Sequence, residues 1–273
     1  MSILPPYKVV HIINESTVVT DIDANSMVAA LNSKLPTFCS NWNIAPVTCT
    51  YIGLNKAAPT VPGYKMYIRD TTDVSGAVAY HNLLNDVPYG NVFAKTILNN
   101  NGVVLYEPTR LKPTVSQALS HEMFEMLADP HSNTWWMNIN TGKLYAGEVC
   151  DPVESSPVIV RLPSSVNVTI SDWVLPSWQD VQNTIGPFNH LDTLTSAFQL
   201  SSKGSTMYIK DGAVTYVFGS SVTTEGKAAF IARNRNFARV VSVKGVLAET
   251  GVTPPAETDV SNAPVTTTVA PSV

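Results

Sequence analysis

One segment constrains this chain more than any other: Pro113-Thr114-Val115-Ser116-Gln117-Ala118-Leu119-Ser120-His121-Glu122-Met123-Phe124-Glu125-Met126-Leu127-Ala128-Asp129-Pro130. Pro113 and Thr114 suit the start of a helix. Asp129-Pro130 must end it, because proline cannot continue the hydrogen-bond ladder. Val115, Leu119, Met123, Phe124, Met126 and Leu127 bury much of the predicted helix. His121, Glu122 and Glu125 are set into that apolar surface. His121 and Glu125 stand four apart in sequence and share a face.

Two ligands on successive helical turns can grip one cation, and a carboxylate beside the first can take a proton from water. His121 and Glu125 are the candidate pair and Glu122 the candidate base. A further ligand is expected from Gly147-Glu148-Val149-Cys150-Asp151-Pro152-Val153-Glu154, with Glu148 first and Asp151 as an alternative ligand or a partner that orients His121. Asp129 is either another alternative ligand or the residue that stops the helix. His131, Tyr80 and His81 are candidates for stabilising an oxyanion. The bland reading is a polar stripe, since His-Glu-x-x-Glu is short and recurs by chance.

A strand is expected at Tyr7–Ile13. A helix from Thr20-Asp21-Ile22-Asp23 to about Leu35 should follow, interrupted by Pro36. Further strands are expected at Val47–Ile52, Tyr64–Arg69, Gly76–His81 and Asn91–Leu98, the last two joined by the turn-rich NDVPYG. Beyond Asp151 come strands at Val158–Leu162, Val166–Ile170, Thr206–Ile209 and Val214–Phe218. Asp211-Gly212 predicts a tight hairpin between the last two. Ala228–Arg233 and Arg239–Val243 read as another pair. His11 and His190 are expected to be structural.

The strand–helix order that ends in SHEMFE resembles the catalytic core of the zincin metallopeptidases over roughly residues 7–155. Glu148 stands where the gluzincin branch has its third ligand. SHEMFEMLADP, GEVCDPVE and WVLPSWQD followed by GPFNHLDTLTSAFQL are also similar to uncharacterised bacterial and phage zincin-like proteins. The resemblance implies an α+β fold: a zincin-like mixed sheet with an active-site helix, and Gly76–His81 as the edge strand that pairs with an extended substrate. The chain divides into a zincin-like domain expected over 1–195, a small β-rich extension expected from the strand pattern over 196–250, and a Pro/Thr-rich tail expected from composition over 251–273. The chain departs from the family at Glu125, where zincins carry a second histidine. One imidazole with two carboxylates makes a harder and more negative site, for which zinc ranks first and manganese or calcium are alternatives.

The formal net charge of −4 excludes nucleic acid as the main partner, because phosphate binding needs a basic surface. No basic leader precedes an apolar core at the N-terminus, and no apolar run is long enough for a membrane helix. The cytoplasm or a virion is the expected location. The three cysteines are expected to be reduced thiols. Two functions follow as expectations. The first is a metal-dependent hydrolase, a peptidase by resemblance, with a peptide or protein substrate. The alternative is a structural or virion-type assembly protein that contacts neighbouring subunits and keeps a structural or vestigial metal. The low charged fraction of 14% and the Pro/Thr-rich tail favour the alternative.

Overall fold

The computed structural model describes residues 7–233 except 55, 58, 75–76, 110–111 and 155. In chain order its elements are β1 (Val9–Asn14), α1 (Asp21–Asn41), β2 (Thr48–Ile52), β3 (Tyr64–Arg69), β4 (Ala79–Leu84), β5 (Val87–Phe93), α2 (Ala94–Asn99), α3 (Val115–Ala128), β6 (Trp135–Asn138), β7 (Lys143–Ala146), β8 (Pro157–Arg161), β9 (Asn167–Ser171), β10 (Ser205–Lys210), β11 (Ala213–Phe218) and α4 (Thr224–Arg233). The fold is α+β, as expected. The chain forms two compact units, each discontinuous in sequence: Met1–Pro130 with Ser156–Asp172, and His131–Ser155 with Trp173–Val273.

The first unit is built on a mixed sheet of order β2-β1-β3-β5-β4. β1 is parallel to β2 and β3, and β3 to β5; only β4 runs antiparallel, on β5, at the edge. The apolar, β-branched β1 and β3 are central, with Val10, Ile12, Tyr64, Met66 and Ile68 fully buried. The expected strand Gly76–His81 is displaced to Ala79–Leu84. Its link to β5 is the Asn85-Asp86 turn, where both residues take positive φ (52° and 61°). Such residues suit a two-residue hairpin, so most of NDVPYG is strand rather than loop. The strand expected at Asn91–Leu98 stops at Phe93, and Ala94–Asn99 is the short α2. Pro88 is accommodated because β3 pairs with β5 only from Tyr89 onward.

α1 starts in a capping box, with Thr20 Oγ1 accepting from the Asp23 N–H and Asp23 accepting from the Thr20 N–H. It does not end near Leu35. It runs through Pro36 to Asn41. An interior proline costs about 3 kcal/mol. Beyond it Phe38 is wholly buried and stacks on Phe124 of α3, with ring centroids 4.5 Å apart. Burial of a Phe side chain contributes about 1.5–3 kcal/mol and an aromatic pair about 0.5–1.5 kcal/mol. The two together match the proline cost, so packing overrides the local stop signal. Asn32 adds a tether by donating to the Cys49 carbonyl (2.9 Å) and accepting from the Cys49 N–H (2.7 Å).

The second unit contains a sheet of order β11-β10-β7-β6, antiparallel throughout. The segment expected as an extension over 196–250 therefore shares a sheet with residues 135–146. The predicted hairpin is present, with Asp211 and Gly212 at φ 51° and 78°. Ala228–Arg233, expected to be strand, lies in α4. Its alanines and its Thr224 start are compatible with helix, and the partner strand expected at 239–243 falls outside the described residues. So do Arg235, Arg239 and the tail over 251–273. Tyr145, Trp178, Phe198 and Tyr208 form an aromatic cluster, and Trp178 Nε1 donates to the Gln199 carbonyl at 2.7 Å. No helix among the described residues is long and apolar enough to cross a membrane.

Candidate metal centre

α3 is held at both ends and along its length. Thr114 caps it, its Oγ1 accepting from the Gln117 N–H at 3.0 Å. Ser116 Oγ donates to the Leu105 carbonyl (2.9 Å) and Ser120 Oγ accepts from the Ser171 N–H of β9 (2.7 Å). Phe124 lies on Phe38, and Met123 Sδ is 3.4 Å from Cys49 Sγ of β2. Asp129 ends the helix as expected, its N–H donating to the Glu125 carbonyl at 2.8 Å. These contacts fix a buried helix, and they also fix which way its polar residues point.

His121, Glu122 and Glu125 are all buried. His121 Nε2 lies 3.2 Å from Glu125 Oε2, so the pair one helical turn apart does meet. The third participant comes from β4. His81 Nδ1 lies 2.9 Å from Glu122 Oε2 and 3.9 Å from Glu125 Oε2, and all these side chains are less than a tenth exposed. Successive side chains on a strand point to opposite faces. His81 thus faces α3, whereas Tyr80 points away. The Tyr80 hydroxyl donates to the Asp73 carboxylate (3.0 Å) and accepts from Asn91 Nδ2 (2.7 Å). Burial, followed by the bond to Asp73, pushes the Tyr80 phenol up. Tyr80 is not gathered with the other expected residues.

Ionised carboxylates are buried only when paired or ligating a cation. Were both imidazoles neutral, Glu122 and Glu125 would carry a formal charge of −2, which one divalent cation would offset. The donors are imidazole nitrogen and carboxylate oxygen, a set that zinc and manganese both accept. Among the described residues, His121 with Glu125 and His81 with Glu125 each fall in a separate group of side chains whose ligand atoms are close enough to hold a metal ion. The residues present fit a divalent metal.

No protein-family model, curated protein or solved structure matches the chain.

The remaining candidates are placed as follows. Glu148 and Asp151 belong to the second unit and are buried; Asp151 opens a single 3₁₀ turn, Asp151–Val153. That turn is tied to the loop before β10, because the Ser201 N–H donates to the Pro152 carbonyl at 2.9 Å. A Cβ on Gly204 would lie 2.0 Å from the same carbonyl oxygen, so the close approach requires glycine. His131 also belongs to the second unit, half-buried in a turn. His11 is structural, as expected: its Nδ1 meets Thr50 Oγ1 and its Nε2 meets the Val61 carbonyl, both at 2.8 Å. His190 stacks on Trp173 at 4.0 Å and is also structural. Cys39, Cys49 and Cys150 are buried and none is in a disulfide. Burial pushes the Cys39 and Cys49 thiols up, which removes them as nucleophiles near neutral pH.

Sequence reasoning placed His81 near the chemistry only as an oxyanion donor. Its contact with both glutamates was missed. The signal was the alternation in Ala79-Tyr80-His81-Asn82, which puts His81 and not Tyr80 on the buried side.

Proposed function

We propose that the chain is a metal-dependent hydrolase acting on peptide bonds, with His121 and Glu125 holding a divalent ion and Glu122 serving as general base. The observation that supports this reading best is the buried meeting of His121 Nε2 and Glu125 Oε2 at 3.2 Å, with Glu122 next to His121 on the same helix. When bound, a divalent ion supplies Lewis-acid chemistry, polarising a carbonyl and making water more acidic. Glu122 Oε2 would accept the proton of the attacking water and pass it to the leaving nitrogen, a role worth about 10²–10⁴ in rate. His81 Nδ1, 2.9 Å from that oxygen, would keep the carboxylate turned toward the ion. Zinc ranks first, with manganese and calcium as alternatives.

The same His81–Glu122 bond favours a second reading. A base whose carboxylate is already engaged is less available to water, as befits an assembly protein with a structural or vestigial metal. The two readings separate on cleavage of a mixed peptide library by zinc- or manganese-loaded protein. For the hydrolase, wild type cleaves, and Glu122→Gln loses cleavage while keeping its metal. Absence of cleavage by metal-loaded wild type refutes the enzyme and leaves the structural role.

A further inference from the structure

β4 brings His81 to Glu122, yet it lies at the sheet edge and pairs along one side only, with β5. Apolar burial does little to fix it, since Leu84 at its far end is 64% exposed and Asn82 is exposed. Successive strand residues take opposite faces, so whatever holds Tyr80 on one side also places His81 on the other. The Tyr80 hydroxyl donates to Asp73 Oδ2 at 3.0 Å and accepts from Asn91 Nδ2 at 2.7 Å. Burial pushes its phenol up, so the hydroxyl keeps the proton it donates to Asp73. Asn91 stands opposite Tyr80 in the β4–β5 register and is 1% exposed. Its Oδ1 has no hydrogen-bond partner among the described residues, which leaves the bond to Tyr80 to tie down the amide. The Tyr80 ring packs edge-on against Tyr89 and tilted against Phe93, with centroids 6.3 and 5.8 Å away.

We propose that Tyr80 is a positioning residue for the general base: anchored to Asp73 and Asn91 on the face turned away from α3, it sets how His81 meets Glu122. The inference deepens the reading of Glu122 as general base and rests on it. Without the Tyr80 hydroxyl, Asn91 Nδ2 is left as a buried donor with no acceptor there, a cost that movement of a neighbour relieves. β4 is the neighbour that can yield, because no second strand holds its outer edge. His81 follows Tyr80 in the chain and moves with it. Its 2.9 Å bond to Glu122 Oε2 then lengthens or tilts, and such bonds weaken steeply off their geometry. The carboxylate loses one restraint on its orientation. The loss falls on the chemical step and not on substrate binding, so kcat should drop while KM stays.

The test uses the full-length chain. In the metal-free, isotope-labelled protein, NMR follows the proton shared between His81 Nδ1 and Glu122 Oε2, assigned by its loss from His81→Gln. Tyr80→Phe keeps the ring and removes the hydroxyl. Thr20→Ala removes the cap of α1 and controls for a general loss of stability. The expected result is exchange of that proton with water at least about tenfold faster in Tyr80→Phe and unchanged in Thr20→Ala. Zinc-loaded Tyr80→Phe should cleave peptide with kcat about tenfold lower and KM unchanged. Three results would overturn the proposal: no protected proton in wild type, unchanged exchange in folded Tyr80→Phe, or equal acceleration in Thr20→Ala. If zinc-loaded wild type cleaves nothing while exchange quickens as expected, the hydrolase reading fails and the placement of His81 by Tyr80 stands. If Tyr80→Phe does not fold, Asp73→Asn decides, because Asp73 is exposed and its replacement leaves the core intact. Exchange must then quicken in Asp73→Asn, and an unchanged rate would overturn the proposal.

Discussion

Replacing Ser120 by alanine removes one oxygen and tests whether the ligand helix is anchored as described. Ser120 Oγ accepts from the Ser171 N–H at 2.7 Å, and both residues are wholly buried. In Ser120→Ala that N–H loses its acceptor in a place water does not reach, which costs about 1–3 kcal/mol. The lost donation from Ser120 Oγ to the Gln117 carbonyl (2.8 Å) matters little, because such bonds compete with the helix's own. Alanine returns up to about 0.5 kcal/mol through better helix propensity. The net loss is about 1–2 kcal/mol. With a urea slope of about 2 kcal/mol/M, the midpoint of the first unit should fall by about 0.5–1 M. Circular dichroism gives the midpoint, and amide exchange of the peptide containing Ser171 reports the broken bond directly. An unmoved midpoint with unchanged protection at Ser171 would refute the anchoring of α3 on β9. Because His121 follows Ser120, the variant should also bind metal more weakly without touching a ligand.

Two further expectations concern the frame around the site. Desolvation pushes the Asp70 carboxyl up, but hydrogen bonds from Lys95, Ser16 and Thr17 outweigh it and hold the group well below the usual carboxylate range. A depressed folded pKa adds stability above the unfolded value and loses it as pH falls through the folded one. With solvent screening of the exposed Lys95 pair, Asp70→Asn should cost about 1 kcal/mol near neutrality. Its stability should converge with wild type as pH drops below about 3.8, the reference value of the unfolded carboxyl; a pH-independent gap in urea melts would contradict the assignment. Phe38→Ala should cost about 3–5 kcal/mol. In a double-mutant cycle with Phe124→Ala the coupling should exceed about 0.5 kcal/mol; additive losses would mean that the ring stack does not carry α1 past Pro36.

How far the sequence could be read depended on whether the deciding interaction was local. α3 was legible from its flanking prolines, its Thr114 cap and its apolar positions, because these signals act within a turn or two. The hairpin at Asp211-Gly212 was legible for the same reason. Pro36 misled because the contact that overrides it, Phe38 on Phe124, joins residues far apart in the chain. The β4–β5 region misled because the turn is confined to Asn85 and Asp86, the first two residues of NDVPYG, so that β4 runs on to Leu84 and β5 begins at Val87. The pairing of β7 with β10 had no local signal at all. At the site, the His121–Glu125 meeting followed from helical spacing alone. The arrival of His81 required both the alternation along β4, which the sequence hints at, and the packing of α3 on that face, which it does not.

The central claim is that a buried imidazole–carboxylate cluster on α3 and β4 binds a divalent cation. Elemental analysis of the purified full-length protein, exposed to zinc, manganese and calcium and then desalted, measures this most directly, with His121→Ala as the control. The account predicts a stoichiometric divalent ion, zinc ahead of the others, retained by wild type and lost from the folded variant. Wild-type protein that emerges without a divalent ion, or a variant that retains as much as wild type, would contradict it.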